Sequence, residues 1–227
     1  MPVIFTTHPL HPKAVELLAA TGDVRIATSL DRETLIEEGR EADIVIVRAP
    51  LPEALFQNAP RLRAAIRHGA GLDMIPVEAA TAAGVLVANV PGVNARSVAE
   101  HVFFVTLALL RRFRQMDRDL REQGWLAGRD HAPRTHELAG RTFGIVGMGN
   151  VGAAVAAIAM HGFELRVIAN TRDPSRLPPE ISYQDIDALV AESDILVLCC
   201  PLTPQTRGLL DARRISAMKP DAILVNV

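Results

Sequence analysis

Short apolar runs alternate with segments whose apolar residues recur at helical spacing through the first ninety residues. This alternation predicts helices that start near 12, 31 and 76, and strands at 3–6, 24–27, 43–47, 85–88 and up to 66–67. The run Ile44-Val45-Ile46-Val47 is continuously apolar, which is typical of a strand buried on both faces. Five such β units with short crossovers imply one parallel sheet covered by helices on both faces.

The pattern changes after the fifth strand, where a helix predicted from Ser97 to Leu110 is apolar around most of its circumference. Phe103 and Phe104 lie on different sides of that helix, so it must be covered from several directions. Burial in the core of one subunit and burial in a subunit interface both explain this composition. Residues 113–141 are polar and charged, and Gly124-Trp125 within them indicates a loop.

A second α/β pattern starts at Thr142. It predicts helices near 150–161, 185–192 and 205–217, and strands at 143–147, 165–170, 195–199, 222–227 and briefly near 181–183. The chain is therefore predicted to be an α/β protein with two parallel-sheet domains. Such a sheet binds its ligand in the crevice beyond the carboxyl ends of its strands. Those ends include Gly147, Asn170-Thr171-Arg172 and Cys200-Pro201, and we expect them in the site.

Glycine spacing between the first strand and first helix of this second pattern is G-x-G-x-x-G, formed by Gly147, Gly149 and Gly152. In dinucleotide-binding folds the first glycine makes the tight turn, the second admits the pyrophosphate and the third allows close helix–strand packing. The helix that starts with Asn150, Val151 and Gly152 offers unpaired N–H groups to phosphate. A structural turn without a ligand is the alternative, but the strand before and the helix after favour a dinucleotide.

Composition excludes several other classes of function. A formal net charge of -2 without a basic block gives no electrostatic attraction to nucleic acid or to a membrane surface. The only two cysteines, Cys199 and Cys200, are adjacent in an apolar run, which predicts reduced core residues rather than a disulfide or a metal site. No signal peptide pattern opens the chain, and its longest apolar run, 102–110, is too short to span a bilayer. We expect a soluble, cytoplasmic protein without a metal.

Further motifs extend from about residue 40 to the end. They are Arg67-His68-Gly69-Ala70-Gly71-Leu72-Asp73, Asn89-Val90-Pro91-Gly92, Ser97-Val98-Ala99-Glu100, Glu137-Leu138-Ala139-Gly140, Pro201-Leu202-Thr203-Pro204 and Gly208-Leu209-Leu210. With the glycine triplet, they resemble the NAD(P)-dependent D-isomer-specific 2-hydroxyacid dehydrogenase family, which includes glyoxylate/hydroxypyruvate reductases and phosphoglycerate dehydrogenase. The resemblance implies a flavodoxin-like substrate-binding domain at 1–96 and a Rossmann-type dinucleotide-binding domain at 97–227. It also implies hydride transfer between NAD(P)H and a small 2-keto acid, foremost glyoxylate or hydroxypyruvate.

The resemblance implies a site for the substrate carboxylate as well. The N–H groups of Ala70 and Gly71 would hold it, which suits a glycine-containing turn after a strand. Arg48, at the end of the third strand, would face the same cleft and add a charge-assisted hydrogen bond; a solvated arginine is an equally good interpretation. His68 is not expected to be the general base, because the family places its catalytic His much later. His101 is expected to be a packed, hydrogen-bonded core residue.

The residues after the second strand of this pattern indicate whether the cofactor has a 2′-phosphate, as NADP does and NAD does not. NAD sites of this fold place an acid at the end of the second strand to hold the ribose hydroxyls. By the resemblance Thr171 occupies that place here. A hydroxyl followed by Arg172, with Arg176 one turn on, would attract a 2′-phosphate, so we expect NADP in preference to NAD. Asp173 supplies the acid in the alternative register, which favours NAD.

Catalysis in the family rests on an Arg that orients the keto acid and on a His supported by a Glu. The Arg follows the strand that here ends at Asn226-Val227, and the other two lie further on. These 227 residues contain no match to the three, so we expect an incomplete copy of the enzyme that lacks its catalytic residues and part of the dinucleotide-binding domain. A non-catalytic dinucleotide-binding sensor or scaffold is the alternative. The family and the apolar helix together predict a homodimer.

Overall fold

Two five-stranded sheets, parallel throughout, form the framework of the computed structural model, which describes all residues 1–227. The chain divides into two units, Met1–Val93 and Asn94–Val227, and each unit contains one of the sheets. The prediction of an α/β protein with two parallel sheets is therefore confirmed.

The first unit alternates strands and helices from its first residues onward. Its strands are β1 (Val3–Thr6), β2 (Asp23–Ile26), β3 (Ile44–Val47), β4 (Ala64–Arg67) and β5 (Leu86–Ala88). Its helices are α1 (Pro12–Ala19), α2 (Arg32–Gly39), α3 (Ala54–Asn58) and α4 (Val77–Ala82). The strand order β2-β1-β3-β4-β5 is that of flavodoxin-like folds, with its topological switch point between β1 and β3.

The second unit begins with three helices: α5 (Ala95–Leu110), α6 (Phe113–Gln123) and α7 (Trp125–Arg129). Its strands are β6 (Thr142–Val146), β7 (Arg166–Asn170), β8 (Ser182–Tyr183), β9 (Ile195–Leu198) and β10 (Ile223–Asn226). The helices between them are α8 (Asn150–Phe163), α9 (Ile186–Glu192) and α10 (Ala212–Ala217), with short 3-10 turns at Ala132–Arg134 and Pro174–Arg176. The order β10-β9-β6-β7-β8 corresponds to 5-4-1-2-3, the arrangement of Rossmann sheets.

Helix α5 packs one face against this second sheet and leaves another exposed. Phe103 is only 5% exposed and stacks on Phe143 of β6 and Phe163 of α8, with ring centroids 5.4 and 5.2 Å apart. Phe104 and Leu109 are 60% and 61% exposed, so this helix has more apolar surface than its own unit covers.

The prediction for His101 was wrong. Its side chain is exposed on α5, makes no hydrogen bond and lies 6.3 Å from the Phe104 ring, measured between centroids. A hydrophobic helix tolerates a histidine on its solvent-facing side. The sequence did not reveal that side, because apolar residues occur around most of the helix.

Three helices were not predicted, and one was predicted too long. α6 is mostly charged and buries none of its side chains, so its few apolar residues did not stand out as a helix, and α3 and α7 are only five residues each. The helix expected at 205–217 forms only from Ala212, because Gly208 takes a left-handed conformation with φ +69°. Before it, the Thr206 hydroxyl donates to the Pro201 carbonyl and closes a turn instead.

An aspartate fixes the start of the first strand, in chain order, of each sheet. The Asp43 carboxylate accepts the N–H of Val3 at 2.8 Å, and Asp194 accepts the N–H of Thr142 at 2.7 Å. Burial raises the pKa of Asp194, but the Thr142 N–H and the Lys219 ammonium, 2.9 Å from its second oxygen, outweigh burial and leave that pKa below its ordinary value. The Asp194 contacts fix where β6 begins, and with it the position of the glycine loop that follows β6.

We predict that Asp194→Ala lowers the free energy of unfolding by about 1–3 kcal/mol at neutral pH, because the N–H of buried Thr142 loses its acceptor. The folded pKa lies below the unfolded one, so this stabilisation is complete above about pH 4 and disappears as the pH falls through the folded pKa. Urea unfolding at neutral and acidic pH measures it. Asp117→Ala, which removes only an exposed ion pair with Arg121, is the control and should cost under about 0.5 kcal/mol. Equal stability of the two variants would contradict the account.

Candidate functional site

The second unit contains a cavity of about 810 Å³ at the carboxyl ends of β6, β7 and β9. This volume is typical of small-molecule and cofactor sites. The lining includes most of the residues expected from sequence at these strand ends, namely Gly147, Gly149, Asn170, Thr171, Arg172, Arg176, Cys200 and Pro201. Of the predicted residues, Asn150, Val151 and Gly152 form the adjoining first turn of α8.

The three loop glycines have different reasons for lacking a side chain. A Cβ on Gly147, whose φ is +93°, would lie 2.9 Å from the Cys200 nitrogen, and a Cβ on Gly152 would lie 2.0 Å from the Gly147 oxygen. Protein packing therefore requires both glycines. A Cβ on Gly149 would meet no protein atom within 4 Å, and its φ of -79° suits any residue. Its missing side chain leaves free space at the wall of the cavity instead.

The N-terminus of α8 presents donors that nothing in the protein satisfies. The first N–H of this region to find an acceptor belongs to Ala153, which donates to Gly149 at 2.9 Å. The N–H groups of Asn150, Val151 and Gly152 have no acceptor, and no side chain caps the helix. A fourteen-residue helix adds the positive end of its dipole at this point. Free space beside Gly149 and three unpaired N–H groups together fit a phosphate group.

The end of β7 forms the next part of the cavity. Asn170 has a structural role, because its carbonyl accepts the Gly147 N–H at 2.8 Å and its side-chain amide donates to the Gln184 carbonyl at 2.9 Å. Thr171 is half-buried, and the exposed Arg172 side chain makes no hydrogen bond or ion pair. Arg172 is therefore a cation at the rim of the cavity that is available to an anionic ligand.

Asp173 and Arg176 are engaged with each other. One Asp173 oxygen accepts the Ser175 N–H at 3.2 Å and the Ser175 hydroxyl at 2.6 Å. The other lies 3.0 Å from the Arg176 Nε. Both oxygens of this carboxylate thus serve its own turn. Arg176 remains 86% exposed, so its ion pair is weak and can be exchanged.

Cys199 and Cys200 line the cavity as half-buried free thiols rather than as full core residues. Burial raises the pKa of Cys199 to about 12, with a smaller contribution from Cys200, and burial also raises the pKa of Cys200. Both thiols stay protonated at neutral pH, which makes them poor nucleophiles and poor metal ligands.

Sequence reasoning missed one wall of the cavity, which α8 supplies along its length. Met160 and His161 line it, together with Ala153, Ala156 and Ala157. Helical spacing alone does not distinguish a stripe that faces the core from one that faces a cavity. No group of three or more His, Cys, Asp or Glu side chains is placed to hold a metal ion, and none of the helices is both long and apolar enough to cross a membrane.

The other predicted residues lie at the carboxyl edge of the sheet in the first unit. Ala70 and Gly71 form an exposed turn after β4, and their N–H groups have no acceptor. The exposed Arg48 side chain donates to the Pro9 carbonyl at 3.0 Å, and its own N–H donates to the Thr7 hydroxyl at 2.8 Å. The turn therefore has two free donors, with the Asp73 carboxylate beside them, 2.7 Å from where a Cβ on Gly71 would lie. Arg48 is attached to a different loop.

Comparison with known proteins agrees with these features. Residues 103–227 match the family described as "D-isomer specific 2-hydroxyacid dehydrogenase, NAD binding domain". The chain is 32% identical to a glyoxylate reductase of Pyrococcus furiosus, over 100% of the chain and 70% of that protein. It is 34% identical to a D-3-phosphoglycerate dehydrogenase of Methanocaldococcus jannaschii, over 98% of the chain but only 43% of that protein.

A solved structure with a similar fold is the NADPH-dependent glyoxylate/hydroxypyruvate reductase of Sinorhizobium meliloti in complex with NADP and malonate. The TM-score is 0.85 at 26% identity, with 99% of this chain and 70% of that one covered.

Proposed function

Because this chain belongs to the D-isomer specific 2-hydroxyacid dehydrogenase family, whose chemistry is NAD(P)-dependent oxidoreduction of 2-hydroxy acids, we propose that it acts as a reductase of a small 2-keto acid with NADPH. Glyoxylate and hydroxypyruvate are the foremost substrates, in keeping with the names of the P. furiosus and S. meliloti relatives. In this proposal the first unit binds the keto acid and the second binds the dinucleotide.

The observation that carries the proposal is the free space at Gly149 beside three unpaired N–H groups of α8. Neither packing nor backbone conformation explains this glycine, whereas a pyrophosphate that approaches the loop does. Gly147, Gly149 and the first turn of α8 would hold the pyrophosphate. The walls formed by Cys200-Pro201 would flank the rest of the dinucleotide.

The Ala70–Gly71 turn supports the substrate assignment. Two adjacent N–H donors without acceptors bind one carboxylate well. Arg48 would release the Pro9 carbonyl to add a charged hydrogen bond. These residues would hold the carboxylate and so orient the keto carbonyl for the hydride that NADPH would supply when bound.

We further propose that the cofactor is NADP rather than NAD. NAD sites of this fold use a carboxylate to hold the ribose hydroxyls, but Ser175 holds one Asp173 oxygen with two hydrogen bonds, so only the oxygen paired with Arg176 could be released for them. Thr171 adds no charge, and Arg172 is an unpaired guanidinium at the rim. Its planar donors suit a 2′-phosphate, and Arg176 becomes a second ligand once it leaves Asp173.

We predict that Arg172→Ala weakens NADPH binding about tenfold and leaves NADH binding within about twofold, because only the 2′-phosphate loses a partner. Titration calorimetry with both dinucleotides measures this. Arg176→Ala is the matched control, with a smaller expected loss because this arginine must first leave Asp173. Equal losses for both dinucleotides in Arg172→Ala, or native binding that favours NADH, would contradict the NADP assignment.

We propose that the chain supplies cofactor and substrate binding, and that it does not itself contain the catalytic Arg, Glu and His that the family resemblance implies. A dinucleotide-binding sensor or scaffold is the second candidate, favoured by the unpaired N–H groups of α8, which such a protein would need without any catalytic group.

A protein of residues 1–227 should therefore bind dinucleotide but reduce glyoxylate and hydroxypyruvate poorly. General acid–base catalysis contributes about 10²–10⁴-fold, and one electrostatic stabiliser about 10²–10³-fold more. NADPH absorbance with each keto acid measures the rate. Turnover close to that of the P. furiosus glyoxylate reductase would show that these residues contain a catalytic group, and His68 would be the first to mutate.

We propose a homodimer as the assembly. The second unit exposes a group of large apolar side chains on α5 and α7, which in solution favours association with a second copy. They are Phe104, Leu109, Trp125 and Leu126. A cytoplasmic location is proposed with it, because two free thiols in one site persist in a reducing compartment.

We predict a dimer by light scattering at micromolar concentration, burying more than about 1,200 Å². Phe104→Ser combined with Leu109→Ser should produce monomers, since the two side chains are exposed on one helix. Leu17→Ser, at an equally exposed leucine of the first unit, is the control and should leave the dimer intact. A monomeric unmutated protein would refute the proposal.

A further inference from the structure

Three consecutive carbonyl groups of the turn after β4 are each held by a different donor. The Arg67 Nη1 donates to the His68 carbonyl at 2.9 Å, the Val90 N–H to the Gly69 carbonyl at 2.9 Å, and the Asn89 Nδ2 to the Ala70 carbonyl at 2.6 Å. Only the last two peptides end in an N–H without an acceptor, those of Ala70 and Gly71.

Because a peptide group is planar, a hydrogen bond that fixes its carbonyl also fixes the direction of its N–H. Every peptide bond in this chain is trans, so the C=O of one residue and the N–H of the next point in opposite directions. The Val90 N–H, by holding the Gly69 carbonyl, fixes the direction of the Ala70 N–H. The Asn89 side chain, by holding the Ala70 carbonyl, fixes the direction of the Gly71 N–H.

We infer that Asn89 is a positioning residue for anion binding at this turn: it aims the Gly71 N–H at the substrate carboxylate without touching the substrate. The inference rests on the proposed binding of a carboxylate by Ala70 and Gly71. Gly71 itself has no side chain that could restrain its peptide, so the restraint has to come from outside the turn.

A purely structural role explains the Asn89 contact less well. Asn89 and Ala70 are both exposed, so water would satisfy the Ala70 carbonyl if the side chain were absent. Asn89 also contributes nothing to the apolar core of its unit. The Asn89 side chain instead fixes the direction of the Ala70 carbonyl, and therefore of the Gly71 N–H. Its donation also polarises the Ala70–Gly71 peptide, which makes the Gly71 N–H a stronger donor to an anion.

The position of Asn89 in the chain brings its side chain next to the turn after β4. It follows the last residue of β5, and β5 pairs with β4, from which the turn emerges. The neighbouring Val90 N–H holds the Gly69 carbonyl from the backbone, so two adjacent residues secure two adjacent peptides. A variant at position 89 removes one of these contacts and leaves the other in place.

The test uses ¹⁵N-labelled protein of residues 1–227 titrated with oxalate, a non-reacting dicarboxylate, at constant ionic strength. In the unmutated protein the amide resonances of Ala70 and Gly71 should both shift on one binding curve. In Asn89→Ala the Gly71 shift should collapse, the Ala70 shift should persist, and oxalate should bind about three- to tenfold more weakly.

Asn58→Ala is the matched control, because the exposed Asn58 also donates its side-chain amide to a backbone carbonyl, that of Ala54 at 2.7 Å. It should leave both shifts unchanged. Asn89→Leu keeps the volume, removes the donor and should reproduce the result of Asn89→Ala. Unchanged remaining resonances show that each variant is folded.

The outcomes separate this inference from the proposed function. If the unmutated protein responds at Ala70 and Gly71, and both Asn89 variants respond equally at these two amides, the positioning role is refuted and the carboxylate site survives. If the unmutated protein responds at neither amide, the proposed carboxylate site is refuted and the inference with it.

Discussion

The architecture of the second unit depends on how closely β6, α8 and β9 approach one another at Gly147. A side chain there would collide with the backbone at Cys199-Cys200, and a side chain on Gly152 would collide with the Gly147 carbonyl. Because the backbones touch, the first turn of α8 lies directly above the strand ends, and its unpaired N–H groups face the crevice. Packing requires glycine at positions 147 and 152, and the absence of a side chain at Gly149 leaves free space at the wall of the cavity.

Both units have unpaired N–H groups at the carboxyl edge of a parallel sheet, but different contacts hold these groups in place. In the second unit the helix itself aligns the donors, since the first N–H groups of a helix lack intrahelical partners and no side chain caps α8. In the first unit no helix follows the turn directly, so Val90 and Asn89 have to hold its carbonyls. Backbone hydrogen bonds within a helix keep its end rigid, whereas a turn depends on contacts from other residues for its rigidity.

Sequence periodicity and glycine spacing predicted both sheets and the strand-end residues that line the cavity, because each reflects a local rule. The run Ile44–Val47 has no solvated face, and G-x-G-x-x-G needs only neighbouring backbone to be interpreted. The His101 environment was not predictable, since it depends on which face of α5 meets the rest of its unit. The Asp173–Arg176 pair is local, but it depends on the short 3-10 turn at Pro174–Arg176, which periodicity does not reveal. The pairing of Asn89 with Ala70 spans nineteen residues and leaves no pattern in the sequence.

We propose that position 149 lacks a side chain in order to admit a ligand, whereas position 152 lacks one because packing leaves no room for it. Measuring the melting temperature and NADP⁺ affinity of Gly149→Ala and Gly152→Ala tests it most directly. We expect Gly149→Ala to melt within a few degrees of the unmutated protein, because the position accepts alanine, and to bind NADP⁺ at least about tenfold more weakly. Gly152→Ala should lose several degrees, because its Cβ has no room. Unchanged NADP⁺ affinity in a folded Gly149→Ala would contradict the claim.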